Sequence, residues 1–153
     1  MNPIKSISAQ PALGAFILRI TLGLVLIAHS VYLKAMVFTL PGTAQFFESI
    51  GLMGWMAYAV FAVEAIGGIA LVLGVYTRLV SLAVIPVLLG ATWAHLGAGW
   101  LFTNTGGGYE YPLVLTLLAV VQFFLGSGRY ALMSDDAATA ASSEYDGRTI
   151  HQA

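Results

Sequence analysis

The chain has 153 residues, 59% of them apolar and 8% charged, with a formal net charge of -1 and a mean hydropathy of +0.87. Soluble domains carry about 25% charged residues, so this chain has too little polar surface to wrap a water-soluble globule, and it reads as a one-domain integral membrane protein. No basic run marks a nucleic-acid partner. The absence of cysteine removes structural disulfides, thiol–disulfide catalysis and thiolate metal sites together, and leaves haem and quinone chemistry open.

In chain order, Lys5 followed by an apolar run and small residues near Ala28 imitates a secretion signal. Arg19 inside that run and the apolar spans beyond it favour a retained first helix. Four membrane helices are expected at about 12–33, 55–76, 79–100 and 110–126; a bilayer core of about 30 Å takes about 20 helical residues, and the fourth is the shortest. Thr77-Arg78 is the expected turn between the second and third, which makes them an antiparallel hairpin. The loop from Ala35 to Gly54, with Pro41, Phe46, Phe47 and Glu48, suits a short amphipathic segment on the membrane face. Residues 134–153 are polar and of low complexity, as in a disordered cytoplasmic tail. Lys5, Arg78, Arg129 and Arg148 fall on one side and Lys34 on the other, so the positive-inside rule sets both termini in the cytoplasm. The expectation is an all-α four-helix transmembrane bundle, N-in and C-in, multi-pass in a bacterial inner membrane.

The ionisable residues inside the spans carry the chemistry. At 1.5 Å per residue, Glu64 lies roughly 13 Å below the outer end of the second helix, near the midplane. His29 and His95 lie roughly 6–8 Å down, and Arg19 about 10 Å from the inner end of the first helix. Lys34 and Glu110 mark outer helix ends, where each charge suits the local helix dipole. The second helix groups Ala57, Glu64, Gly67, Gly68 and Val75 on one face, and small residues beside a carboxylate mark a packed face rather than a lipid face. A charged carboxylate at the bilayer centre is costly unless paired or protonated. Glu64 is therefore neutral or partnered with Arg19, His29, His95 or Lys34, with Arg19 or His95 the expected partner.

Plainer roles stand beside these. Glu64 can be a hydrogen-bonding link between helices, and Arg19 can reach the inner interface and serve packing alone. Either histidine can be an interfacial side chain, and Trp55, Trp93, Trp100, Tyr109 and Tyr111 suit an aromatic belt. A haem between His29 and His95 is conceivable but disfavoured, because glycine clearance for the ring is lacking. Gly106-Gly107-Gly108 follows no strand and lacks a Lys-Ser/Thr ending, so it reads as a flexible turn into Pro112 and not as a phosphate loop. No metal site is expected.

The stretches Leu18–Lys34 ("LRITLGLVLIAHSVYLK") and Glu64–Arg78 ("EAIGGIALVLGVYTR"), then His95, "GGGYEYP" (Gly106–Pro112) and "GSGR" (Gly126–Arg129), together resemble the DoxX family of small bacterial membrane proteins. The resemblance covers about residues 12–133. Ser30 stands where the family usually has glycine and Ser127 where it often has proline. The resemblance implies a four-helix membrane bundle and an association with respiratory or redox functions, with likeness to a subunit of an archaeal thiosulfate:quinone oxidoreductase and with redox or stress-defence proteins as partners.

The functional expectation is a quinone-linked or redox-associated membrane subunit. Glu64, His95 and His29 are its proton-exchanging candidates, and Arg19, Lys34, Glu110 and Tyr111 its ligand-contacting candidates. Quinone reduction takes up two protons with two electrons, and imidazole and buried carboxyl groups are suited to move protons. A partner would supply the electrons. The alternatives are a non-catalytic scaffold or assembly partner, and a binder or carrier of small lipophilic molecules, for which a homodimer would give the wider path.

Overall fold

A computed structural model describes residues 9–135. Every regular element among them is helical: α1 (Pro11–Ile27), which runs on without a break as a π-helical stretch (Ala28–Val37), α2 (Leu40–Ser49), α3 (Trp55–Leu73), α4 (Thr77–His95), extended by a 3₁₀ turn (Leu96–Ala98), and α5 (Glu110–Leu125). Three stretches are long and apolar enough to cross a membrane: Pro11–Val37 (27 residues), Trp55–Leu73 (19) and Thr77–Ala98 (22). Helix α5 has 16 residues, about 24 Å at the α-helical rise. The region expected to be a tail lies outside the described residues except for Ser134 and Asp135.

The helix ends differ from the expectation, most clearly at the end of the first helix and at the hairpin. The first helix continues to Val37, four residues past its expected end, because the π-helical stretch carries it on. The hairpin turn is Gly74–Tyr76 rather than Thr77-Arg78, which open α4. Gly74 takes a left-handed conformation (φ 69°, ψ 51°) at the end of α3, where glycine avoids the Cβ penalty. Phe46 and Phe47 of the expected amphipathic loop fall in α2, whose amino end is capped by Thr39 Oγ1 accepting from the Gly42 amide.

Helices α1, α3, α4 and α5 close a ring in which each packs against the next. The core is one apolar cluster drawn from all four, with Leu22, Leu26, Leu71, Val84, Leu88, Leu115 and Ala119 buried. Outward residues such as Leu24, Ile66, Ile69, Leu82, Leu117 and Phe124 are also apolar and exposed, as expected where the outer face meets lipid rather than water. The two adjacent glycines of α3 face different neighbours. Gly68 meets Gly23 of α1 backbone to backbone, so that a Cβ on Gly68 would lie 2.9 Å from the Gly23 carbonyl oxygen, while Gly67 faces Val84 and Val80 of α4.

One end of the bundle gathers Arg19, Arg78 and Arg129 and is called the arginine end; the other, with Lys34, His95 and Glu110, is the lysine end. At the arginine end the chain after α5 folds back beneath the bundle. The amides of Arg129, Leu132 and Met133 donate to the carbonyls of Ala12, Leu73 and Gly74 at 2.9, 3.0 and 3.0 Å.

Candidate functional site

Glu64 is buried on α3, at 5% exposure. Its Oε2 accepts from Lys34 Nζ at 2.5 Å, so the partner is Lys34 and not Arg19 or His95. Helix register explains this. Gly23 of α1 meets Gly68 of α3; Arg19 lies one turn from that crossing toward the arginine end, and Glu64 one turn toward the lysine end. The two are therefore about 12 Å apart along the axis. Helical side chains lean toward their own amino end, which carries the Lys34 side chain down and the Glu64 side chain up, toward each other.

The π-helical stretch Ala28–Val37 supplies His29, Ser30 and Lys34. At its entrance the fully buried Ser30 hydroxyl reaches the carbonyls of Leu26 (2.8 Å) and Ile27 (3.2 Å), serving the backbone where the helix widens. The His29 ring stacks on Tyr111 of α5, with centroids 5.7 Å apart and planes 24° apart, and Lys34 and His95 are its ionisable neighbours. Glu110 stands beside Tyr111 at the start of α5, its amide bound to the Trp100 carbonyl at 3.1 Å.

His95 ends α4, and its Nδ1 lies 3.0 Å from the Gly106 carbonyl oxygen. The glycine run is thus a folded loop over the histidine, with left-handed φ at Gly106 (86°) and Gly107 (71°), and not only a flexible lead into Pro112. Trp100 packs edge-on against Tyr109 at 5.3 Å.

Arg19 belongs to the other end. It is fully buried; its Nη1 donates to the carbonyls of Leu71 (2.7 Å) and Val72 (3.1 Å) and its Nη2 to that of Arg129 (3.0 Å). It thereby caps the last turn of α3, where a cation meets the negative end of the helix dipole, and ties that turn to the segment after α5. Lys34, Glu64, His29, His95, Glu110 and Tyr111 gather at the lysine end, and Arg19 does not join them. The sequence did not mark Ser30, Thr77, Ser81 or Gln122 as buried polar groups, and all four are buried; a polar residue recurring at helical spacing in an apolar span, as at Thr77 and Ser81, was the available signal. Among the described residues no group of three or more His, Cys, Asp or Glu is placed to hold a metal ion.

The fold and these residues define an all-helical membrane protein that buries a lysine–glutamate pair beside a stacked histidine and tyrosine. The DoxX family model matches residues 14–97, and a Bacillus subtilis (strain 168) protein named "Putative oxidoreductase CatD" is 37% identical over 121 residues, covering 78% of this chain and 84% of its own length. The chain belongs to the DoxX family. No solved structure matches it significantly.

Proposed function

We propose that the chain is a redox-associated subunit of a bacterial inner membrane, built on four membrane crossings with both ends cytoplasmic, and that it binds a quinone-like ring at the lysine end, which faces outward. The observation that carries this reading is the convergence of Glu64, Lys34, His29 and Tyr111 in one half of the bundle. Small-molecule sites have this form, mostly apolar with a few polar groups fixing orientation. The name of the Bacillus subtilis relative points to the same class of chemistry.

In this reading the tyrosine–histidine stack offers a flat aromatic partner for the ring, and imidazole and phenol hydrogens bond its carbonyls. Reduction to quinol takes two electrons and two protons. A partner protein carrying a redox centre supplies the electrons, and His29 or His95 passes protons, with Glu64 as the buried relay and Lys34 balancing its charge. Titration of purified protein with a short-chain quinone, followed by quenching of Trp93 and Trp100 fluorescence, tests this. Saturable quenching in the native protein, weakened at least tenfold in a His29→Ala, His95→Ala double variant, is expected. No quenching in either protein defeats the redox reading.

A second reading has its own support. Lys34 is spent on Glu64 and His95 on the Gly106 carbonyl, as in a scaffold whose polar groups fix helix register. It predicts that the double histidine variant keeps its fold and its cellular role.

A further inference from the structure

We infer that the arginine half of the bundle holds a cluster of internal water molecules, bound among Arg19, Ser81, Thr77 and Gln122, on the far side of the apolar core from Glu64. All four residues are fully buried, and each has a polar atom with no hydrogen-bond partner among the described residues: Arg19 Nε, Thr77 Oγ1, Ser81 Oγ and Gln122 Oε1.

The hydroxyls stand apart from others in the same helices. Thr21, Ser30, Thr92 and Thr116 return their protons to the carbonyl one turn back, on Ile17, Leu26, Leu88 and Pro112, at 2.8–2.9 Å. Ser81 has the Thr77 carbonyl in the same relation and leaves it. Its hydroxyl has no hydrogen-bond partner among the described residues.

Register places Arg19, Ser81 and Gln122 at one level. Gly67 faces Val84 of α4. Ser81 lies three residues from Val84 toward the arginine end and Leu71 four residues from Gly67 in the same direction, about 5 Å and 6 Å. Arg19 bonds the Leu71 carbonyl, so it shares the level of Ser81. On α5, Gly126 sits against the Arg78 guanidinium, and Gln122, one turn back from Gly126, returns to the same height. Thr77 lies one turn lower.

The chemistry of the set selects the occupant. Arg19 Nε–H is a donor, Gln122 Oε1 an acceptor, and the hydroxyls either. An anion site would present donors only and a cation site acceptors only. A mixed set deep in protein is the environment of buried water, which typically makes about three hydrogen bonds to otherwise unsatisfied groups. Water also lessens the cost of a guanidinium whose partners among the described residues are three carbonyls and the face of the Phe16 ring. Beyond this layer the core closes with Leu22, Leu71, Val84 and Ala119, so the bundle is hydrated below that barrier and Glu64 lies above it.

The test uses the full chain in detergent or nanodiscs. Water–protein cross-relaxation in nuclear magnetic resonance is expected to give Arg19 Nε–H a cross-peak of the sign of long-resident water, and none to the Gly68 amide in the α1–α3 seam. An Arg19 Nε–H signal without a water cross-peak overturns the inference. Ser81→Ala reads it a second way. A hydroxyl that bonds water is missed, and the melting temperature falls by several degrees; a dry, unpartnered hydroxyl is better removed, and a rise overturns the inference. Inorganic phosphate at millimolar concentration should leave the melting temperature unchanged, and a saturable rise abolished by Arg19→Gln would replace water with an anion. Should Ser81→Ala fail to fold, the cross-relaxation experiment on native protein decides alone.

Discussion

The Lys34–Glu64 pair is where a single side chain decides most. Glu64 is buried and Lys34 nearly so, with side-chain exposures of 6% and 17%. Removing one member of such a pair strands a charge in an apolar bundle, whereas replacing both removes the desolvation cost along with the attraction. Lys34→Met is therefore expected to cost about 3 kcal/mol, at the low end of the range for breaking a buried pair. Glu64→Gln should cost about half of that, because the stranded lysine retains more water than a stranded carboxylate does. The double variant should lie within about 1 kcal/mol of the native protein. Thermal or denaturant unfolding in detergent, analysed as a double-mutant cycle, measures the coupling. Additive losses would mean that the two groups do not act as a pair. The sequence already marked Glu64 as the residue needing a partner, since it ionises within a long apolar span. It pointed to Arg19 or His95 and not to Lys34, because the choice rests on which residues of α1 and α3 cross.

That crossing belongs to the element scale and rests on glycine. A Cβ added at Gly68 would meet the Gly23 carbonyl oxygen at 2.9 Å and the Ile27 amide at 3.1 Å, both backbone; one added at Gly67 would meet the Val84 and Val80 methyl groups at 3.2 and 3.4 Å. Backbone atoms yield only if the helices separate, whereas valine side chains shift by a few tenths of an ångström. Gly68→Ala is expected to destabilise by about 2 kcal/mol, in the range for overpacking a filled core, and to loosen the Lys34–Glu64 register with it. Gly67→Ala should cost well under about 1 kcal/mol, helped by the better helix propensity of alanine. Equal losses in thermal melts would contradict this division of labour. The pattern Glu-x-x-Gly-Gly was legible in the sequence as a close-packed face, but the two glycines look alike there and only the neighbours tell them apart. The π-helical stretch was illegible for a different reason. Ala28–Val37 contains no proline or glycine, and the widened turn is a tertiary outcome that local propensity does not encode. The places of the long helices, though not their ends, followed from hydropathy, because lipid leaves the backbone no alternative to internal hydrogen bonding.

At the scale of the whole molecule, the contacts at the arginine end bear on how many times the chain crosses the membrane. The Arg129 amide donates to the Ala12 carbonyl at 2.9 Å, so the start of α1 and the segment after α5 share one end of the bundle. Three crossings by Pro11–Val37, Trp55–Leu73 and Thr77–Ala98 would deliver the chain to the opposite side, and in the proposed four-crossing reading α5 brings it back. At 16 residues that helix is short for a 30 Å core, which a local thinning of the bilayer accommodates at modest cost. Orientation follows from charge: Arg78 and Arg129 lie at the shared end, while the basic group at the other end, Lys34, is neutralised by Glu64. The positive-inside rule is the ground on which the proposed orientation sets the shared end in the cytoplasm. Because the chain contains no cysteine, single cysteines report without background. Thr103→Cys, exposed in the loop before α5, should react with a membrane-impermeant thiol reagent added to intact spheroplasts, and Ser134→Cys, exposed beyond α5, only after the membrane is permeabilised. The reverse pattern would invert the bundle and turn the Lys34–Glu64 site toward the cytoplasm; reaction of both in intact spheroplasts would leave α5 on the outer surface, and the four-crossing reading would fail with it.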